Sequence, residues 1–390
     1  MAVSTGYLPD RARPAWFGAA LTTLFIATIV VAFTGLFRTP PAATNPFENR
    51  VIEPLPPVPD SGAAAREYPL RFERFFNDRF GMRGALVTVD HWTKAIVFGV
   101  SPVSKVVLGK SGWLYFRGED SKALDRWYRG NEAIADAMLV ALRDELLRRR
   151  AFLASRGIPF VVVVVPEKYS VYPEYLPDWA ARGAPRTPLD RLAAELARYP
   201  QLQFVDLRGP LLQAKAGERL YYQTDSHWNY LGAMVGYRAI MSRVEQLLPG
   251  LVAAPVTRPS YIPGVDYYSG DLAQMLGLQR QFRETDIAPL GKILATPEAR
   301  CARLDATPDT TGVEAFVYRC PNAPRFTALV YRDSMAIPLI PMLAENFSRT
   351  TFVASASLAP ESVARLKPDI VIEELVERSL LGPVALPMPR

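Results

Sequence analysis

Apolar runs bounded by proline and glycine alternate with stretches of helical period over most of the chain. Residues 131–156 place apolar side chains at helical spacing and close at Gly157. Residues 158–166 follow, with five consecutive valines between two prolines. A β-branched run without polar alternation predicts a strand buried on both faces of a parallel sheet. The rhythm continues with a helix over 187–199, a strand over 203–207, a helix over 229–248, a strand over 325–331 and a helix over 335–346. Strands over 350–355 and 368–374, with a helix between them, close the series. This alternation predicts an α/β domain with a parallel sheet between helices on both faces, its active site at the carboxyl ends of the strands. Residues 251–324 break the pattern. They are rich in Pro, Gly, Asp and Thr and read as an irregular insertion, with one helix over 271–277 capped by Asp271.

Before this body lie two different segments. Residues 15–37 are 23 uncharged, mostly apolar residues, long enough as a helix to span a bilayer. They predict an uncleaved transmembrane signal anchor behind a cytoplasmic 1–14, with a cleaved signal peptide as the alternative. Residues 38–62 hold seven prolines and read as an extended tether. Residues 63–390 are expected to form a single catalytic domain.

Charge and cysteine content narrow the function classes. The net charge of +6 is spread along the chain, and only eight of the 45 basic residues are lysine. That is arginine bias without a nucleic-acid footprint, so no nucleic-acid partner is expected. Cys301, Cys320, His91 and His227 are the whole Cys and His complement. A Cys/His zinc cluster is nearly excluded, and neither metal nor cofactor is expected. Two cysteines 19 apart suit one disulfide in an oxidising compartment, two buried thiols being the alternative.

Two short segments carry candidate chemistry. In Tyr331-Arg332-Asp333-Ser334-Met335 the serine lies between a predicted buried strand and a helix, where its hydroxyl faces the crevice and its own N–H heads the helix. A plain helix cap by Asp333 or Ser334 is the other reading. In Thr224-Asp225-Ser226-His227-Trp228-Asn229 a carboxylate and an imidazole stand two apart just before a helix, where the acid can orient the ring. The alternative is a cap by Asp225 or Ser226. A serine nucleophile needs a base, and of two histidines only His227 has an adjacent acid in a suitable turn. Ser334, His227 and Asp225 are therefore the candidate catalytic triad. Lys168, Tyr169, Trp228 and Arg332 are the candidate substrate contacts, a surface salt bridge being the alternative for Lys168 and Arg332. Gly109-Lys110-Ser111 resembles the end of a P-loop but lacks the earlier glycine.

TDSHWN over 224–229 with RDSM over 332–335 resembles the SGNH-hydrolase-like alginate O-acetyltransferases of the AlgJ/AlgX group. In that family an Asp-x-His-Trp motif precedes the serine, so the motif order is circularly permuted relative to ordinary SGNH esterases. VVLGKSGWLYF (106–116), PEKYSVYPEYLP (166–177), SGDLAQMLGL (269–278) and KPDIVIEELVER (367–378) extend the resemblance over roughly 45–380. Length and N-terminal segment are more similar to the AlgJ branch. Arg332 stands where the SGNH turn typically has glycine.

The resemblance implies a three-layer α/β/α fold and O-acetylation of an exopolysaccharide through an acetyl-serine intermediate. It implies an acetyl donor partner of the membrane-bound O-acyltransferase (MBOAT) type. It also implies a body in the bacterial periplasm, held to the inner membrane by the N-terminal anchor. An esterase using the same triad, and a non-catalytic glycan-binding or scaffolding subunit, remain the competing expectations.

Overall fold

The computed structural model describes residues 19–20, 22–27, 30, 44–45, 50–51, 53–79, 83–118, 124–125, 136–180, 186–256, 267–285, 301–304 and 315–381. The chain divides into two compact units, Met1–Phe98 and Gly99–Arg390. In the first, helices α1 (Gly62–Arg79) and α2 (Arg83–Trp92) are followed by one π-helical turn, Thr93–Val97, and His91 lies in α2. The inner-membrane anchor is corrected here. Among the described residues no helix is long and apolar enough to cross a membrane, and most of 15–37, like all of 1–14, lies outside those residues. Of the Pro-rich stretch 38–62, residues 53–60 carry neither helix nor strand.

The second unit is an α/β domain around a seven-stranded sheet. A hairpin, β1 (Val106–Leu108) and β2 (Leu114–Phe116), precedes helix α3 (Asp136–Ala154). Strand β3 (Phe160–Val165) is the valine run, and every residue of it is buried. Burying each valine stabilises the fold by on the order of 2 kcal/mol. A short helix, α4 (Lys168–Val171), leads toward α5 (Pro188–Leu196). Thr187 caps α5 with a reciprocal bond to Asp190, and Pro188 supplies a helix-ready φ. Strand β4 (Gln203–Asp206), α6 (Arg208–Ala214) and the long α7 (Tyr230–Leu247) follow.

Residues 251–324 are less irregular than their composition implied. They contain the pair β5 (Tyr267–Tyr268) and β6 (Glu284–Thr285) around α8 (Asp271–Leu276), then β7 (Ala302–Leu304) and β8 (Ala315–Arg319). Strand β9 (Thr327–Tyr331), α9 (Leu339–Ala344), β10 (Arg349–Val353), α10 (Pro360–Leu366) and β11 (Ile370–Val376) complete the unit.

The sheet order is β4-β3-β11-β9-β10-β8-β7. The first five strands are parallel. The last two are antiparallel, so the sheet is mixed where an all-parallel one was expected. The AFVYR sequence of β8 explains the difference. Its β-formers are only half-buried, which suits an edge segment extending the sheet. Cys301 and Cys320, flanking β7 and β8, form a disulfide. Two apolar clusters fill the two faces of the sheet, one under α7 and α9 and one under α3 and α5.

Candidate active site

The carboxyl ends of β3, β9 and β11 converge on one edge, where the chain turns at Pro166, Arg332 and Glu377. Beyond β9 the backbone enters a one-turn 3-10 helix, Ser334–Ala336, and the expected helix over 335–346 is otherwise only α9. Asp333 caps the turn. Its Oδ1 accepts from Met335 N at 2.8 Å and its Oδ2 from Val376 N at 2.7 Å, which pins the serine turn to β11. Glu374 Oε2 accepts from Asp333 N at 3.1 Å. Burial, and then the Asp333 charge, push the Glu374 carboxyl well above the usual range.

The second segment is a tight loop before α7. Tyr221 bridges to Trp228, and Asn229 N donates to Leu220 O at 2.9 Å. Asn229, not Asp225 or Ser226, caps α7, its side chain accepting from Gly232 N. Asp225 is therefore free of the α7 cap. Its Oδ1 accepts from His227 N at 2.9 Å and faces His227 Nδ1 at 2.6 Å. Its Oδ2 accepts from Asp271 N at 3.0 Å and from the Tyr268 hydroxyl. His227 Nε2 lies 2.9 Å from Ser334 Oγ. The structure thus brings Asp225, His227 and Ser334 into one line.

The electrostatics follow from these contacts. Burial works against the Asp225 charge, but the bonds from His227 and Tyr268 outweigh it and hold the carboxyl well below its usual range. Burial also works against the His227 cation. The bond and charge of Asp225, with the charge of Asp271, outweigh it and raise the imidazole.

Three of the expected substrate contacts are almost wholly buried. Lys168 is 1% exposed, and its Nζ donates to Tyr222 O (3.0 Å), Gln223 O (3.0 Å) and Asp225 O (2.6 Å). It clamps the Asp225 loop from inside and turns no proton toward a ligand. Tyr169 and Trp228 are also 1% exposed. Trp228 Nε1 donates to Met335 O at 2.8 Å and so ties the histidine loop to the serine turn. Arg332 is 8% exposed and lies 5.4 Å from the Phe316 ring centroid.

Glu284 and Tyr268 were missed. Glu284 accepts from Gln223 N, Thr224 N and Thr224 Oγ1, holding the loop from outside. Tyr268 and Asp271 bond Asp225, and Gly270 packs directly on it. The Ser269-Gly270-Asp271 segment reads as a helix cap, with a backbone donor as the alternative; Asp271 N does donate, to Asp225 Oδ2, while Gly270 occupies the cap position and the Asp271 carboxylate reaches Ser226. Asp225, His227 and Asp271 are the group of three potential cation-holding side chains among the described residues. Their oxygens are already engaged by His227, Tyr268 and Ser226, an arrangement suited to handling protons.

Residues 106–309 match the family model described as SGNH hydrolase-like domain, acetyltransferase AlgX. The chain belongs to this family. The matched stretch contains Asp225 and His227 and ends before Ser334. Among curated relatives of this AlgX-family chain, a probable alginate O-acetylase AlgJ of Pseudomonas putida is 32% identical over 189 residues, covering 47% of this chain and 45% of that protein. Its Pseudomonas syringae counterpart is 26% identical over 296 residues, covering 70% and 69%. The match thus spans about half the length of the first relative. Among solved structures, the O-acetyltransferase domain of Pseudomonas putida AlgJ is similar at 23% identity and TM-score 0.48, covering 72% of this chain and 94% of that one. Bacillus cereus PatB1 is similar at 16% identity and TM-score 0.44, covering 71% and 97%.

Proposed function

We propose that this chain is an O-acetyltransferase that moves acetyl groups onto hydroxyls of an exopolysaccharide, with Ser334 as nucleophile, His227 as general base and Asp225 as its orienting acid. The observation that carries the reading is the alignment of Ser334 Oγ 2.9 Å from His227 Nε2, with Asp225 Oδ1 2.6 Å from Nδ1 on the far side of the same ring. The AlgJ relatives, named as probable alginate O-acetylases, support the reaction class and a polysaccharide acceptor.

In the first step Ser334 Oγ forms a bond to the acetyl carbonyl carbon while its proton passes to His227 Nε2. The bond from that carbon to the donor oxygen breaks, and the leaving group takes the proton from Nε2. In the second step a sugar hydroxyl gives its proton to Nε2 and attacks the acetyl-serine. The Ser334 Oγ–carbon bond breaks, and Oγ recovers the proton. Met335 N–H is already taken by Asp333, which leaves the Ser334 N–H as the amide at the head of the turn for the developing oxyanion. The acetyl donor is supplied by a partner acyltransferase of the MBOAT type.

Intact-protein mass spectrometry after incubation with an activated acetyl ester tests the reading. An acetyl adduct that maps to Ser334, is absent in Ser334→Ala and is discharged by an acceptor oligosaccharide is the expected result. Discharge by water alone with no product ester makes the chain an esterase, and no adduct on the folded protein overturns the serine mechanism.

A further inference from the structure

The triad leaves one carboxylate beside His227 without an assigned task. Asp271 is the first residue of α8, yet its side chain does not cap that helix. It turns back toward the loop before α7. Its Oδ1 accepts from Ser226 N at 2.7 Å and its Oδ2 from Ser226 Oγ at 2.5 Å. Ser226 Oγ is 3.3 Å from His227 Nδ1, and Asp271 Oδ2 is itself 3.7 Å from that nitrogen. Its backbone N–H meanwhile donates to the other acid, Asp225 Oδ2, at 3.0 Å. One residue therefore supports Asp225 through its main chain and faces the imidazole through its side chain.

We propose that Asp271 is a positioning residue for the reaction: acting through Ser226, it fixes the His227 ring against Asp225 and holds the imidazolium that forms when the Ser334 proton arrives. The inference rests on the serine-nucleophile reading above. Two carboxylates this close repel while the ring is neutral, and burial together with the Asp225 charge raises the Asp271 carboxyl above its ordinary range. Proton arrival on His227 reverses the balance, because each negative charge then faces a cation. In both steps the proton passes between His227 Nε2 and the reacting oxygens, and Asp271 accepts none. Asp225, Asp271 and Arg378 are the charged groups that face the ring, while Tyr268 and Lys168 stand behind the two acids.

Asp271→Asn keeps the main-chain bond and the shape while removing the charge. The His227 ring resonance, assigned by its loss in His227→Ala, is titrated by NMR in wild type and variant. The expected result is a His227 pKa lower by about one pH unit in Asp271→Asn. The acid limb of kcat/KM for acetyl transfer moves down by the same amount, and the plateau falls by about tenfold. Wild type also shows a second, acid inflection of the His227 resonance as Asp271 takes up its proton. An unmoved His227 titration in the variant overturns the proposal. So does a flat acid region in wild type, which is readable even where the variant fails to fold. Failure of the acetyl-serine reading appears separately, as absence of the Ser334 adduct with the NMR coupling intact.

Discussion

His227 Nε2 stands 2.9 Å from Ser334 Oγ although 107 residues separate them along the chain. The two are held at that distance by different strands of the same scaffold. Asp333 ties the serine turn to β11, and Trp228 ties the histidine loop to Met335, the residue after the serine. Residues acting through one proton transfer are not additive. Ser334→Ala and His227→Ala are each expected to lower acetyl transfer by roughly 10³-fold or more, and the double variant is expected to be no worse than either. Steady-state rates of the three variants check this, and additive losses contradict a shared step.

The pH dependence follows from the ring's surroundings. Burial lowers the His227 pKa, but Asp225 and Asp271 raise it further, so the imidazole titrates above its ordinary 6.5. A general base, the role proposed for His227, works in its neutral form. The acid limb of kcat/KM is therefore expected at a pH above 6.5, with activity rising as pH passes through it. Asp225→Asn removes both the orienting acceptor and the charge, with an expected loss of about 10⁴-fold. A profile whose acid limb lies at or below 6.5 in wild type contradicts the two-carboxylate environment.

Much of this arrangement was legible in the sequence because it depends on local pattern. The valine run could only be a doubly buried strand, and a serine just past a β-rich run could only sit at the sheet's carboxyl edge. With two histidines in the chain, the choice of base reduced to one with a neighbouring acid. What escaped was long-range. Lys168 reads as a sheet-edge cation for a substrate or a surface salt bridge, yet its three bonds end on a loop over 50 residues away, and no local pattern encodes that. Strands β7 and β8 were missed because edge strands bury little and carry a weak period. Tyr268 and Asp271 lie about 45 residues from Asp225, in a segment whose composition signals only turns.

Gly270 makes the approach of that segment to Asp225 possible. A Cβ there would lie 2.3 Å from Asp225 Cβ and 2.6 Å from Asp225 N. The second of these is backbone, which has little room to yield. Gly270→Ala is expected to destabilise the domain by about 1–3 kcal/mol and to lower kcat at least tenfold by displacing the acid. Gly209, with nothing within 4 Å of its added Cβ, is the control, and Gly209→Ala is expected to leave activity unchanged. Chemical denaturation and kinetics of both variants decide, and equal behaviour contradicts the close-packing argument.

Trp228 is tested by Trp228→Phe. The ring stays apolar and buried, while Met335 O loses the donor at 2.8 Å. Leaving that buried carbonyl unpaired costs about 1–3 kcal/mol. Because the bond joins the two halves of the site, a fall in kcat is expected alongside the loss of stability. Unchanged kcat in a destabilised variant reduces Trp228 to a packing role.

Lys168 gives predictions of opposite sign for stability and for activity. Burial pushes its pKa down to about 8 from 10.5, against the pull of Asp225 and Glu284. Between those two values the unfolded chain still holds the proton that the folded chain has released. Stability therefore rises with pH across that window, and the gain is lost as pH falls through about 8. A neutral amine has two hydrogens for the three carbonyls of residues 222, 223 and 225, so the loop that presents Asp225 and His227 slackens over the same range. The wild-type protein is expected to show an alkaline fall in kcat near pH 8 while its denaturant midpoint moves up. Lys168→Met leaves all three carbonyls without the cation. It is expected to lose about 3 kcal/mol or more at pH 7 and to show neither pH effect. Denaturation midpoints and kcat measured from pH 7 to 10 in both proteins check the argument, and parallel profiles would show that the clamp does not titrate there.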